Sequence, residues 1–398
     1  MDASNPASAS GQRQRLIQNA RELVPVLRGR ADATNLARQI PRETIEDYWR
    51  NDLFGLLKPK KYGGQEVRFD EFLDLGTELG RGDGSAAWFY AVIGVHELMI
   101  SLFPESVQAE VWSNPRALVA SSFAPGAQPQ KENGGYRVSG RWQFCSGIDS
   151  SDWIILGGMF GMLDGPPRPD IRFMVLPRSD YSIVDDWHVM GLRGTGSKTA
   201  VVTDVFVPDD RVVSADAMGA GQAPGGRANA GPIYRAPTWA VFPFCLSSSA
   251  TGIARGGLEH FIEMMKQRVA LADMRSKAQM EHVRARLSEA SALIDAAELL
   301  YRRSAHETID KIENGEKLSL EHRLRSRRDQ GYSVVMATRA LEILFKSMGG
   351  RGLYDNDPVQ RAYRDLQAMG AHIAVSWDLP AASYGSVALG GPPLDYLF

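Results

Sequence analysis

The chain has 398 residues, 44% of them hydrophobic, and we expect two or three domains because single cores stop growing at about 250 to 300 residues. Its 45 basic and 47 acidic residues give a formal net charge of -2, which excludes the global positive field that nucleic-acid binding requires. Two cysteines exclude a disulfide framework, and no apolar run has the length of a signal peptide or a membrane helix. The sequence therefore predicts a cytoplasmic protein with no membrane or nucleic-acid partner.

The first two predicted domains differ in the spacing of their apolar residues. Residues 1–116 show helical spacing, as in Ile45, Trp49 and Leu53, and predict an N-terminal α-helical domain. Over residues 117–213 apolar residues recur at every second position instead. There KENGGYRVSGRW is typical of a hairpin, and DWIILGGM, IRFMVLP and TAVVTDVFVP are typical of strands. We expect a small antiparallel β domain, a barrel or a sandwich, in the middle of the chain.

The last part of the chain begins with a glycine- and alanine-rich segment. Residues 214–232, SADAMGAGQAPGGRANAGP, contain few large apolar groups and predict a flexible loop, either a lid or a plain linker. Helical spacing then returns over residues 233–398, with long amphipathic stretches around Ile294 and Leu341. The order of the domains is thus α, β, α, and the last domain is predicted to be a helical bundle with a tail.

Several familiar motifs fail on inspection. GLRGTGSKT is not a phosphate loop because Ser197 stands between Gly196 and Lys198, and MGGRG lacks the spacing of a dinucleotide-binding turn. No GxSxG or HExxH motif occurs, and the seven histidines are scattered. We therefore expect no metal site, no hydrolase triad and no built-in nicotinamide site.

Four stretches in order resemble the acyl-CoA dehydrogenase superfamily across nearly the whole chain. They are KPKKYGG, YRVSGRWQFCSG, MGLRGTGSKTAVVTDVFVPDDRV and MGGRGLYDNDPVQRAYRD. The resemblance implies an α+β, acyl-CoA dehydrogenase-like fold: an N-terminal helical domain, a middle antiparallel β domain and a C-terminal four-helix bundle around a flavin. This matches the α, β, α order that the spacing of apolar residues indicates independently.

The glutamate base of the dehydrogenases is missing from both of its usual places. The last glutamate of the sequence is Glu342, well before RAYRD, and no acidic residue lies between Asp216 and Glu259. The place after RAYRD reads MGAHIA, with His372. The sequence therefore resembles the oxygenase component of two-component flavin-dependent aromatic monooxygenases of the 4-hydroxyphenylacetate 3-hydroxylase type.

That resemblance implies an enzyme that uses reduced FMN or FAD and O2 to form a C4a-hydroperoxyflavin, which hydroxylates a small phenolic or aromatic substrate. A separate NAD(P)H:flavin reductase would supply the reduced flavin, and the resemblance implies a homotetramer. Alternatives are an N- or S-oxygenase of the same branch, acting on an amino sugar or a thiophene-type compound. An acyl-CoA dehydrogenase with a displaced base, or a non-catalytic scaffold, remains a further alternative.

Three residues are predicted to be catalytic. Ser146 of FCSG matches the position over the flavin ring, where a hydroxyl is needed near N5–H. His372 is predicted to be the base that orients and partly deprotonates a phenol, whose pKa is about 10. His96 matches a histidine that lines the substrate side in the resembling oxygenases, and Trp88 matches a tryptophan of the same region. As alternatives, each of these side chains has an ordinary packing role.

The other candidates are predicted to bind the flavin. Arg235 of IYRAP resembles an arginine that touches the flavin ring, with a surface ion pair as its alternative role. The SSFAP segment resembles one that meets the ring edge, and the eleven-residue separation of Arg268 and Gln279 resembles that of residues reaching the phosphates of a neighbouring subunit's flavin. The remaining flavin-binding candidates are Ser121, Ser122, Phe123, Trp142 and Gly350.

Overall fold

The computed structural model describes residues 6–163, 168–269, 274 and 276–394. The chain begins with helices that pack on one another through their apolar faces. Helix α4 begins where the Asp83 side chain accepts the N–H of Ala86 at 2.8 Å, and it is buried over nearly its whole length. The N-terminal helices are α1 (Pro6–Ala37), α2 (Arg42–Arg50), α3 (Phe69–Gly80), α4 (Gly84–Ile100) and α5 (Glu105–Val111).

The middle of the chain forms two four-stranded sheets, in the orders β1-β4-β5-β8 and β2-β3-β7-β6. The predicted hairpin turns at Asn133–Gly134, between Glu132 and its partner Gly135. The strands are β1 (Val119–Pro125), β2 (Gln130–Glu132), β3 (Gly135–Cys145), β4 (Trp153–Leu163), β5 (Arg168–Pro177), β6 (Ser182–Val184), β7 (Lys198–Pro208) and β8 (Val212–Ser214).

The antiparallel prediction holds for every described strand pair except one. Strand β1 pairs with β4 in parallel, with Val119 opposite Trp153. A parallel neighbour needs a crossover, and the chain between β1 and β4 supplies it by running through β2 and β3 of the other sheet. Inward-facing residues of both sheets, such as Val138 and Leu176, form one apolar cluster. The sheets therefore pack face to face, as in a sandwich.

The segment predicted to be a flexible loop contains regular structure. Residues 214–232 include the short helices α6 (Ala215–Gly219) and α7 (Pro224–Ala228). Ser214 begins α6 by accepting the N–H of Ala217, and Gly225 is buried against the carbonyls of Ser101 and Phe103. This segment packs closely against neighbouring backbone, and only small residues permit such close approach. Its high glycine and alanine content therefore reflects close packing and not a lack of packing partners.

Four long or medium helices form the C-terminal bundle, as predicted. These are α9 (Phe244–Gln267), α10 (Glu281–Glu313), α11 (Leu320–Ser347) and α12 (Pro358–Gly370), with the short α8 (Thr238–Val241) before them and α13 (Asp378–Ala388) after them. Helix α9 also packs against α3, because Gly80 and Gly252 lie at the crossing. A Cβ on Gly252 would lie 2.2 Å from the carbonyl oxygen of Thr77, so the two helices can approach this closely only with glycine at position 252. None of the helices in the described ranges is long and apolar enough to cross a membrane.

A buried carboxyl helps to join the bundle to the β domain. Asp365, on α12, accepts the backbone N–H of Leu192 at 2.6 Å, and Leu192 lies in the GLRGTGS loop before β7. Leu192 itself has a left-handed backbone (φ +52°), a conformation that needs support from its surroundings. Burial and the neighbouring Asp83 carboxylate raise the pKa of Asp365 to about 7.

Replacing Asp365 by asparagine is expected to remove a pH-dependent loss of stability. In the unfolded chain the pKa of an aspartate is about 3.9, which is lower than the folded pKa of Asp365. The folded protein therefore binds the proton more tightly than the unfolded chain does, and its free energy of unfolding decreases as the pH rises from about 4 towards 7. Asparagine does not ionise and still accepts the Leu192 N–H. The stability of Asp365→Asn relative to wild type should therefore increase by about 3 kcal/mol from pH 4.5 to pH 7.5.

Chemical denaturation across this pH range would measure the effect, with the exposed Asp355→Asn as a matched control. A stability difference that stays constant with pH would show that Asp365 is ionised in the folded protein throughout.

Candidate active site

Trp88 brings Ser146 and His372 together from three different parts of the chain. Its indole Nε1–H, on α4, donates to Ser146 Oγ at 2.9 Å. Its ring lies edge-on to the His372 imidazole, with 5.3 Å between the centroids. Both partners follow directly on regular elements, since Ser146 comes after β3 and His372 comes after α12. Two of the three predicted catalytic residues thus lie on either side of one buried indole.

The backbone at the end of β3 turns sharply to present Ser146. Phe144 has φ +64°, unusual for an aromatic residue, and the pairing of β3 with β7 shifts between Trp142 and Cys145. Phe144 is 64% exposed, and its ring packs edge-on against Trp187, 6.0 Å away. Because strained backbone is retained where a side chain has to be aimed, this turn marks the site independently of Ser146.

The hydroxyl of Ser146 continues into a chain of hydroxyls in the GLRGTGS loop. Ser146 Oγ lies 2.7 Å from Ser197 Oγ, which lies 2.7 Å from Thr195 Oγ1. Thr195 in turn donates to the carbonyl of Leu192, 2.7 Å away. All three hydroxyl side chains are buried. The loop that fails as a phosphate loop is therefore part of the site, and the motif search missed Thr195 and Ser197.

The contacts of His372 assign one tautomer to its neutral ring. Its Nδ1 accepts the backbone N–H of Ala374 at 3.2 Å, so in the neutral ring the proton lies on Nε2. Burial and the positive charge of Arg327 lower the pKa of His372 to about 4. Arg327 also donates to the Ala374 carbonyl, which holds that peptide in place. In this tautomer Nε2–H has no partner among the described residues and can donate a hydrogen bond, and the role of His372 as a base stays a prediction.

Both nitrogens of His96 are occupied within the protein. Nδ1 lies 2.6 Å from the carbonyl oxygen of Val119, which can only accept, so this nitrogen carries the proton. Nε2 then accepts the hydroxyl of Ser121 at 2.8 Å. Burial lowers the pKa of His96 to about 4, so the ring is neutral at pH 7. In this arrangement His96 fixes β1 against α4, and a catalytic role for His96 stays a prediction.

Aromatic side chains surround the ring of Phe123 at the end of β1. Phe173, Phe242, Trp239 and His96 lie edge-on to it, with centroid distances of 5.2, 5.7, 5.8 and 6.1 Å. Trp88 and His96 are eight residues apart on α4, which is about 12 Å along a helix axis. The aromatic cluster thus lies about two helical turns from the Ser146 end, and the site is elongated and largely apolar.

The predicted flavin contacts of Trp142 and Ser122 are not favoured by their positions. Trp142 is 1% exposed inside the β sandwich, and its Nε1–H donates to the Gly157 carbonyl at 2.7 Å. Its prediction as a flavin-binding residue is therefore corrected, because the ring is enclosed between the two sheets. Ser122 donates its hydroxyl to the Gln143 carbonyl at 2.8 Å, and it joins β1 to β3.

Arg268 and the glycine turn of MGGRG meet at one end of the bundle. Arg268 follows α9, and its Nη1 donates to the Met348 carbonyl at 2.9 Å. Its Nη2 is buried and has no hydrogen-bond partner among the described residues. Gln279 and Gly350 are exposed, and a Cβ on Gly350 would meet nothing within 4 Å. The unsatisfied guanidinium nitrogen and this open turn fit an anionic group such as a phosphate.

Arg235 is held by the chain just before it. Its guanidinium donates to the carbonyls of Asn229 and Ala230 at 3.0 and 3.1 Å, and it lies within 3.5 Å of the Gly226 carbonyl. No described contact joins it to Trp88, Ser146 or His372. The described partners of Arg235 are thus backbone carbonyls and not the carboxylate of a surface ion pair. A flavin contact for Arg235 stays a prediction.

The fold and this site define the class of protein, and comparisons with known proteins agree with it. Residues 12–117 match the family described as Acyl-CoA dehydrogenase, N-terminal domain, and residues 244–377 match Acyl-CoA dehydrogenase, C-terminal domain. The FADH(2)-dependent resorcinol hydroxylase, oxygenase component, of Rhizobium sp. (strain MTP-10005) is 36% identical over 95% of this chain and 95% of its own.

Two further matches, one to a relative and one to a crystal structure, indicate which kind of flavoenzyme the chain resembles. The flavin-dependent monooxygenase, oxygenase subunit HsaA, of Rhodococcus jostii (strain RHA1) is 36% identical over 95% of this chain and 99% of its own. The crystal structure of 3-HSA hydroxylase from Rhodococcus sp. RHA1 superposes with a TM-score of 0.90 at 35% identity, over 96% of this chain and 99% of that one. The chain belongs to the flavin-dependent monooxygenase oxygenase components of the acyl-CoA dehydrogenase superfamily.

The neutral state of His96 predicts a pH-dependent stability difference. Since its folded pKa of about 4 lies below the unfolded value of about 6.5, its contribution is present above pH 6.5 and is lost as the pH falls towards 4. The stability of wild type relative to His96→Gln should decrease by on the order of 2 kcal/mol from pH 7 to pH 4.5. Denaturation at each pH would test this, with exposed His282→Gln as the control. Parallel curves for wild type and His96→Gln would contradict the neutral, desolvated ring.

Proposed function

We propose that this chain hydroxylates a small phenolic substrate with O2 and reduced flavin, which a separate NAD(P)H:flavin reductase supplies. The observation that carries the proposal is the position of Trp88 between Ser146 and His372. A hydroxyl suited to a flavin N5–H and a donor suited to a phenolic oxygen are thereby held against one ring. The names of the relatives support the same chemistry, since one is an FADH(2)-dependent hydroxylase of resorcinol, a phenol.

The residues present fit a flavin at two separate points. Ser146 is buried and keeps one lone pair that no described side chain uses, and Arg268 has an unpartnered buried nitrogen beside an open glycine turn. We propose that Ser146 meets the ring and that Arg268, with Gln279 and Gly350, meets the phosphate side of a flavin in a homotetramer. Reduced FMN or FAD, when bound, supplies the two electrons with which one oxygen atom of O2 becomes transferable and the other becomes water.

The protein's own residues then hold the substrate and keep water out. His372 donates its Nε2–H to the phenolic oxygen, which favours the phenolate and so increases the electron density at the neighbouring ring carbon. The aromatic side chains around Phe123 offer an apolar surface for the rest of the substrate. No described carboxylate contacts Trp88, Ser146 or His372, so the base that an acyl-CoA dehydrogenase needs is not seen at this position.

Product analysis with isotopically labelled O2 tests the proposal. Reduced FMN or FAD, prepared without oxygen, is mixed with the protein, a phenol such as resorcinol, and labelled O2. We expect one labelled oxygen atom in a new ring hydroxyl, and none when the protein is omitted. Turnover confined to an amine or thiophene panel would instead establish the N- or S-oxygenase. Reduction of an electron acceptor by acyl-CoA with oxidised flavin would establish the dehydrogenase.

Two substitutions of His372 separate a hydrogen-bond donor from a base. Glutamine can still offer an N–H to the phenolic oxygen, whereas alanine cannot. We expect kcat/KM for the phenol to fall roughly 100-fold in His372→Ala and clearly less in His372→Gln, because removing one preorganised donor costs about that much. Product yield per flavin oxidised should fall in parallel.

The pH profile gives the second readout. Because the pKa of His372 is about 4, no ionisation of this residue should appear in the rate between pH 5.5 and pH 8. A rise in rate centred near pH 6.5 that is present in wild type and in exposed His188→Gln, but lost in His372→Gln, would show that His372 is the base.

A further inference from the structure

The hydroxyl chain behind Ser146 has a fixed direction. Three oxygen-to-oxygen contacts follow one another, from Ser146 to Ser197, from Ser197 to Thr195 and from Thr195 to the Leu192 carbonyl, each 2.7 Å long. Two oxygens at this distance repel unless a proton lies between them. Three protons are needed for three contacts, and the three hydroxyls supply one each, because a carbonyl has none.

The assignment leaves no choice at either end. Leu192 can only accept, so Thr195 donates to it, Ser197 donates to Thr195, and Ser146 donates to Ser197. At the other end the indole N–H of Trp88 can only donate, and it uses one of the two lone pairs of Ser146. Ser146 therefore retains one free lone pair and no free proton.

The end of the chain of hydroxyls is itself held in place. The Leu192 peptide is bonded through its N–H to Asp365 at 2.6 Å, and its carbonyl also accepts Trp187 Nε1–H at 3.2 Å. Thr195, Ser197 and Ser146 are 1%, 5% and 8% exposed, so water does not readily supply substitute partners. If the hydroxyls pointed the other way, Thr195 Oγ1 and the Leu192 carbonyl oxygen would face each other with no proton between them.

We propose that Ser197 and Thr195 are positioning residues that make Ser146 a pure hydrogen-bond acceptor, so that the site selects reduced over oxidised flavin. This inference rests on the proposed function, in which Ser146 faces N5. Reduced flavin carries a hydrogen on N5, and this N5–H can donate a hydrogen bond to the free lone pair of Ser146. Oxidised flavin has only a lone pair on N5, and a Ser146 without a free proton cannot hydrogen-bond to it.

Two variants should weaken the selection without touching the flavin directly. In Ser197→Ala, Ser146 loses the acceptor for its proton and can turn that proton to N5 of oxidised flavin. In Thr195→Val, Ser197 loses its acceptor and can donate to Ser146, with the same result one step further away. Thr195→Ser keeps the hydroxyl and should behave as wild type.

The readout is the ratio of the dissociation constants for oxidised and reduced flavin. FMN and FAD are each titrated without oxygen, in both redox states, into the full-length protein. The ratio should fall about 10-fold in Ser197→Ala and in Thr195→Val, mainly because oxidised flavin binds more tightly, since an unmade buried hydrogen bond costs about 1–3 kcal/mol. For this two-electron couple, a 10-fold fall corresponds to a bound-flavin potential about 30 mV lower.

A hydroxyl deletion outside the chain of hydroxyls, Ser139→Ala on β3, is the matched control and should keep the wild-type ratio. An unchanged ratio in Ser197→Ala and Thr195→Val, or weaker binding of reduced flavin alone, would overturn the inference. Thermal melting identifies variants that fail to fold, and Thr195→Ser, which keeps both the fold and the hydroxyl, then tests whether loss of the ratio follows loss of the hydroxyl.

The outcome is separable from that of the proposed function. If wild type hydroxylates phenols with reduced flavin but the ratio does not respond to the variants, only the orientation of Ser146 has been misassigned. If wild type binds neither redox state of FMN or FAD, the proposed function fails as well.

Discussion

The hydrogen bond between the Leu192 N–H and Asp365 is the contact on which the site depends. It ties α12, which leads directly to His372, to the loop whose hydroxyls meet Ser146. The backbone of Leu192 is left-handed, and a Cβ on Gly191 would lie 2.1 Å from the Arg364 carbonyl. The loop and α12 can therefore approach this closely only with glycine at that place. The positions of His372 and Ser146 are thus both linked to this junction.

Trp88 completes the junction from the side of the N-terminal helices. Helix α4 is buried against α9 and β1, so its side chains have little freedom to shift. The indole uses its single polar atom on Ser146 and its ring on His372. Three domains therefore contribute one residue each to a group in which the movement of one member would break a buried contact of another. Because the contacting residues come from separated parts of the chain, the family resemblance is carried by four stretches in order and not by any one of them.

The sequence predicts the fold, but not how protons are placed around Trp88. Ser146 and His372 are predicted as site residues because each stands beside a recognisable stretch, FCSG and RAYRD, and the structure brings both against Trp88. Trp142 was assigned wrongly because period-two spacing does not tell which face of β3 lies inside the sandwich. Thr195 and Ser197 are not predicted, because the GLRGTGS loop carries the family resemblance as a stretch and its hydroxyls meet Ser146 only in the folded chain. The tautomer of His372 depends on the N–H of Ala374, a contact that arises only when the chain turns after α12.

The placement of protons bears on how the site achieves its chemistry. The two site histidines are neutral, since burial lowers the pKa of both His96 and His372 to about 4, and the hydroxyl of Ser146 is oriented by its neighbours. A site of this kind holds its donors and acceptors ready before the ligands arrive, so little reorganisation is needed during the reaction. A charged carboxylate would attract water to these otherwise apolar surroundings, whereas a neutral N–H donor does so less. Where the dehydrogenases carry a carboxylate base, this chain therefore has a neutral imidazole with an N–H that can donate a hydrogen bond.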